Sequence, residues 1–97
     1  MIPENRIPTH PGEILSEEFL KPLNIPQTKL ADKLGISVQR VNELVNGERG
    51  VTPETAWLLA GAFGTSPEFW TNLQTAYDLA RARPSRPVKR LAMTGAR

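Results

Sequence analysis

Apolar residues recur at helical spacing in five stretches of the chain, and the pattern predicts an all-α fold without strands. The first stretch holds Ile14, Leu15 and Phe19, opened by His10-Pro11-Gly12-Glu13 with Pro11 suited to the first helical position. Leu15 and Phe19 are expected to face the core. Lys21-Pro22 stops this helix, because proline disfavours helical geometry in the residue before it, and Asn24 supplies a left-handed turn. The second stretch, Pro26 to Leu34, places Leu30, Ala31 and Leu34 on one face. Gly35 ends it, since glycine takes the left-handed backbone state that a tight turn requires, and Ile36 plugs the corner. Ser37 caps the third helix by accepting a bond from a free backbone N–H, and Val41, Leu44 and Val45 form its apolar face. The loop Asn46-Gly47-Glu48-Arg49-Gly50 follows. Thr52-Pro53-Glu54 then opens a fourth helix with cap, proline and acid in the favoured order. Its face is Ala56, Leu59, Ala60 and Phe63, and Gly64 closes it. Ser66-Pro67-Glu68 repeats the opening for a fifth helix carrying Phe69, Trp70, Leu73, Ala76, Tyr77 and Ala80. Pro84 and Pro87 end regular structure.

The second and third helices, joined by a glycine turn, make a helix-turn-helix over about residues 27–46, whose second helix usually enters the DNA major groove. With 97 residues, the chain has room for one core. The expected organisation is a flexible N-terminal arm (1–9), a DNA-binding domain (10–82) and a basic flexible tail (83–97).

Charge changes this picture more than composition does. The net charge of +2 divides into −4 over residues 1–80 and +6 over residues 81–97, where six basic residues meet no acid. The high isoelectric point therefore belongs to the tail and is not in itself a sign of DNA affinity. Within the acidic body, four of six basic residues (Lys29, Lys33, Arg40, Arg49) lie between positions 29 and 49. Cysteine is absent, which excludes disulfides and thiolate chemistry. No apolar run approaches membrane-spanning length, and the N-terminus lacks a signal-peptide stretch, so a cytoplasmic protein without membrane contact is expected.

Candidate chemistry gathers on the third helix. At the N-terminal turn of a recognition helix side chains meet base edges. Here Ser37 caps and Val38, Gln39 and Arg40 follow, with Asn42 and Glu43 one turn on. Gln39 suits adenine N6 and N7, Arg40 a guanine or a phosphate, and Val38 a thymine methyl. Glu43 either accepts from a cytosine N4–H or points away. Arg49 is either a backbone contact or ordinary surface charge. His10, the sole histidine, has no second ligand beside it, and no serine has a His-Asp setting. No metal, cofactor or enzymatic activity is expected. A two-fold DNA reader needs a dimer surface, and Trp70, Leu73, Tyr77 and Leu79 of the fifth helix offer apolar area for a homodimer. The alternative is that they serve only the internal core. Phe69 and Trp70 are adjacent and cannot face the same way, so one is expected to pack on the fourth helix. The tail has three readings: a solvated end, an arm on the DNA backbone, or a segment that folds onto an acidic partner.

His-Pro-Gly-Glu-Ile-Leu at 10–15, Glu-Phe-Leu-Lys-Pro-Leu at 18–23 and the motif at 27–47 resemble the HigA-type (VapI-like) antitoxins. Val-Thr-Pro-Glu-Thr-Ala at 51–56 and the segment from Gly64 to Leu79 extend the likeness within the Cro/C1-type (lambda-repressor-like) group. The resemblance implies a five-helix lambda-repressor-like domain that represses transcription from a palindromic operator. It also implies a partner, a HigB-type RNA-cleaving toxin that the protein neutralises. A regulator of the same fold without a toxin is the alternative. On the Cro/C1 pattern Val38, Gln39 and Glu43 occupy base-reading positions, Gln27 clamps a phosphate and Asn46 matches another phosphate contact. For Asn46 a plain turn role stands beside that one. Two departures stand out: Pro26 replaces a usual Ser or Thr cap, and Leu58 and Gly61 replace residues that are often charged, leaving Leu58 as a candidate exposed apolar group.

Overall fold

The computed structural model describes residues 8–92; most of the expected N-terminal arm and the last five tail residues lie outside it. Five helices in chain order make up the fold, and among the described residues there is no strand. They are α1 (Pro11–Ile14, continued by a π-helical turn over Leu15–Leu20), α2 (Gln27–Leu34), α3 (Val38–Val45), α4 (Pro53–Phe63) and α5 (Pro67–Arg81).

The helix starts follow the local chemistry foreseen. Ser37, Thr52 and Ser66 accept from the backbone N–H three residues on, at 3.1, 3.2 and 3.1 Å. Pro26 stands at the N-cap of α2 without a side-chain bond, so that helix begins uncapped. At α1 the cap is His10, whose Nδ1 accepts from the Gly12 N–H at 2.8 Å. The stops agree as well: Gly35 and Gly64 take φ of 73° and 72°, and Asn24 takes 55°.

One element differs. Past Ile14 the first helix widens from α to π winding, with the Lys21 N–H donating to the Ser16 carbonyl five residues back at 3.0 Å. An α-helix separates positions five apart by about 140°. The wider winding narrows that separation, and Leu15 and Leu20 are both buried while Phe19 packs against the core beside them.

The core is one cluster: Leu15 and Leu20 of α1, Leu30, Ala31 and Leu34 of α2, Val41 and Leu44 of α3, Val51, then Ala56, Leu59 and Trp70. Trp70 is completely buried, and its indole N–H donates to Thr65 Oγ1 at 2.7 Å, so the one polar atom of the ring is satisfied. Phe19 and Phe63 close over it, with centroids 4.8 Å apart. Helix α1 crosses α3 at very short range. A Cβ on Gly12 would lie 1.7 Å from the Leu44 carbonyl oxygen, so only glycine fits there. With α1 and α2 packed against α3, its Val38, Gln39 and Asn42 side is left to solvent.

Candidate nucleic-acid interface

The exposed side of α3 is polar and internally organised. Its buried residues are Val41 and Leu44; Val38, Gln39 and Asn42 are exposed. Val38 keeps 45% of its surface, enough for its methyl groups to touch a partner. Asn42 sits at the centre of a chain of amides. Its Nδ2 donates to Gln27 Oε1 at 3.2 Å, and its Oδ1 accepts from Asn46 Nδ2 at 3.1 Å. The start of α2, the middle of α3 and the residue after α3 are thereby held in one row. Gln27, Asn42 and Asn46, expected separately from the sequence, come together.

Glu43 is engaged within the protein. Both the Nε and the second terminal nitrogen of Arg49 lie 2.9 Å from Glu43 Oε1. Gln39 Nε2 donates to the other carboxylate oxygen at 3.3 Å. The carboxylate thereby orients Gln39 and Arg49. Gln39 retains its Oε1 and a second N–H, the pair that a bidentate adenine contact uses.

Arg40 departs from expectation. Its guanidinium donates to Thr55 Oγ1 at 3.2 Å, and its Nε is buried without a hydrogen-bond partner. The arginine is turned onto the start of α4 and lies off the polar row. The backbone N–H of Arg40 receives the Ser37 cap, so Ser37 acts here as a structural cap.

Behind the row, His10 packs its ring edge-to-face on Tyr77, 4.8 Å between centroids. Burial holds its imidazole below the ordinary histidine pKa; Arg81 nearby adds to this, and Asp78 opposes it. Gln74 of α5 accepts from the Val51 N–H at 2.7 Å, pinning the loop that follows α3. Among the described residues, no group of acidic residues and histidine is arranged to hold a metal ion.

The sequence profile of the helix-turn-helix family matches residues 17–70, more than half of the chain. Antitoxin HigA-1 of Vibrio cholerae is 45% identical over 75 residues, covering 76% of this chain and 70% of its own. The chain is a helix-turn-helix protein of the HigA type. Virulence-associated protein I of Dichelobacter nodosus is 48% identical over 80 residues, covering 81% of this chain and 74% of its own. The structure of Pseudomonas aeruginosa antitoxin HigA with the higBA promoter superposes with a TM-score of 0.76 at 45% identity, over 77% of this chain and 82% of that one.

In this HigA-type chain the expected dimer residues divide. Trp70 is sealed in the core and offers no surface, which corrects its place among them. Tyr77 is half-buried, stacked edge-to-face with His10, and its hydroxyl accepts from Arg81 at 3.3 Å. Leu73 is half-buried, and Leu79 is 68% exposed. Phe69, Ala76 and Ala80 lie with Leu73 on one side of α5, and Phe69 keeps 39% of its surface. Of the residues singled out in α4, Leu58 packs partly against the core and Gly61 is exposed. The large exposed group there is Trp57, at 68%, which the sequence pattern did not single out. Its signal was available: positions 56, 59, 60 and 63 face inward, and 57 lies about 100° from 56 on the outer side.

Proposed function

We propose that this HigA-type protein is a DNA-binding antitoxin that represses its own operon and neutralises a HigB-type toxin. The observation that carries the DNA reading is the amide row of Gln27, Asn42 and Asn46 beside exposed Val38 and Gln39, on the face of α3 that the core leaves open. Gln39 and Asn42 are suited to adenine edges and Val38 to a thymine methyl. Gln27 and Asn46 flank them and are suited to phosphates, which fix register without reading sequence. Arg49, held by Glu43, stands at the same edge. The relative solved with its promoter supports this assignment through likeness of fold and sequence.

The protein acts as a homodimer on a palindromic operator, with half-sites about 34 Å apart, one helical turn. The dimer surface is the strip of Phe69, Leu73, Ala76 and Ala80 on α5. The toxin partner is proposed from the family.

A mobility-shift titration on the gene's own promoter region tests the DNA reading. Replacing Gln39 and Asn42 together by alanine should cost about 1–3 kcal/mol per base contact and remove preference for that promoter over scrambled duplex. Equal preference in wild type and variant would defeat the assignment of α3. Co-expression with the toxin encoded beside it tests the other half: growth should be rescued by this chain and not by an unrelated helix-turn-helix protein.

A further inference from the structure

The C-terminal tail carries the strongest charge in the molecule, and the reading head does not use it. Residues 81–97 hold six cations and no acid, against −4 for residues 1–80. Helix α5 delivers this charge to a defined place. Arg81, at its last turn, shares an open cleft with His10, Gly47 and Arg49. The tail therefore leaves the body beside the loop that follows the recognition helix. From there residues 83–92 continue without helix or strand and are exposed throughout, Val88 at 92% and Leu91 at 81%. Ten extended residues reach at most about 33 to 36 Å, about the axial rise of ten base pairs.

We propose that the tail is a phosphate-binding arm, placing Arg86, Lys89 and Arg90 on the DNA backbone outside the groove that α3 occupies. The proposal rests on the assignment of α3 as the DNA reader. Its physical ground is where the cations are. The body is net acidic and repels a polyanion, and the two arginines nearest the reading head already have partners, Arg40 in Thr55 and Arg49 in Glu43. Within the body only Lys29 and Lys33 of α2 add exposed cations near the reading head. The tail is the larger reserve of charge for electrostatic attraction and counterion release, and it lies next to the interface. Pro84 and Pro87 restrict the segment, which lowers the entropy lost when it lies along the DNA. An acidic protein surface is the competing occupant, and it predicts no effect on DNA.

The test is a full-length Arg86→Gln, Lys89→Gln, Arg90→Gln variant, titrated by fluorescence anisotropy against a duplex of the gene's own promoter and a scrambled duplex of equal length. The three residues are exposed, so circular dichroism should report an unchanged fold. With three phosphates no longer neutralised, the slope of log affinity against log salt should become shallower by about 2.7. Equivalently, the wild type should lose about 40-fold more affinity than the variant between 50 and 200 mM salt. The change should be the same on both duplexes, because phosphate contacts carry no sequence information. An unchanged slope overturns the arm, and so does a change confined to the promoter duplex. The Gln39→Ala, Asn42→Ala variant separates the two ideas: it should lose promoter preference while keeping most of the tail's contribution to the slope. If the wild type itself shows no promoter preference, the reading by α3 fails, and the slope alone still decides the arm.

Discussion

Two tryptophans on neighbouring helices have opposite surroundings. Trp70 is enclosed by Phe19, Phe63 and Phe69, and Trp57 projects into solvent. Trp70→Ala should cost about 3–5 kcal/mol in urea unfolding, the loss of a large buried ring and the cavity it leaves. Trp57→Ala should cost about 0.5 kcal/mol or less. Comparable losses would mean that Trp57 is covered in solution. Single residues were unevenly legible in the sequence. Caps and glycine turns depend on their neighbours in the chain, so Ser37, Thr52, Ser66, Gly35 and Gly64 could be placed from the sequence. Arg40 could not be placed by charge, although helical geometry held the signal. At about 100° per residue, Val38, Gln39, Asn42 and Asn46 share one side of α3, whereas Arg40 falls beside Leu44. A cation at the start of a recognition helix invites assignment to DNA, but the angle decides which side it leaves from.

At the scale of elements, the helices and their faces were legible because periodicity and caps agreed. The π winding of Leu15–Leu20 was not, because it is a compromise with packing that only the assembled core imposes. The start of α1 adds a pH dependence. His10 caps through an unprotonated Nδ1, and its folded pKa lies below the ordinary value near 6.5. The unfolded chain therefore takes up a proton first as pH falls. The stabilisation is fully present above about pH 6.5 and is lost as pH drops through the folded value. Unfolding midpoints from pH 8 to pH 5 should show this loss in the wild type. His10→Asn, which caps without titrating in this range, should show a flatter profile. Parallel profiles would remove His10 as the source.

For the molecule as a whole, the charge division was legible by counting, whereas the apolar strip of α5 proposed for the dimer was not. Sequence spacing alone could not tell which residues of α5 the core would take, and the core took Trp70, leaving Phe69 outside. Ala76→Glu with Ala80→Glu should convert the dimer to monomer in sedimentation. Binding to the promoter duplex should weaken on the order of a hundredfold as the second reading head loses its tether. A charged variant that stays dimeric would move the interface elsewhere. The amide row has a further consequence at this scale. In the free protein Asn42 donates to Gln27 and accepts from Asn46, so under the proposed reading part of its bonding capacity is taken up before DNA arrives. A matching duplex exchanges these bonds for its own at little net change. A mismatched one still offers phosphates to Gln27 and Asn46 but returns nothing to Asn42, leaving its amide stranded in a dry interface at about 1–3 kcal/mol. Discrimination in this protein would then arise as much from what the free reading head gives up as from what the right sequence supplies.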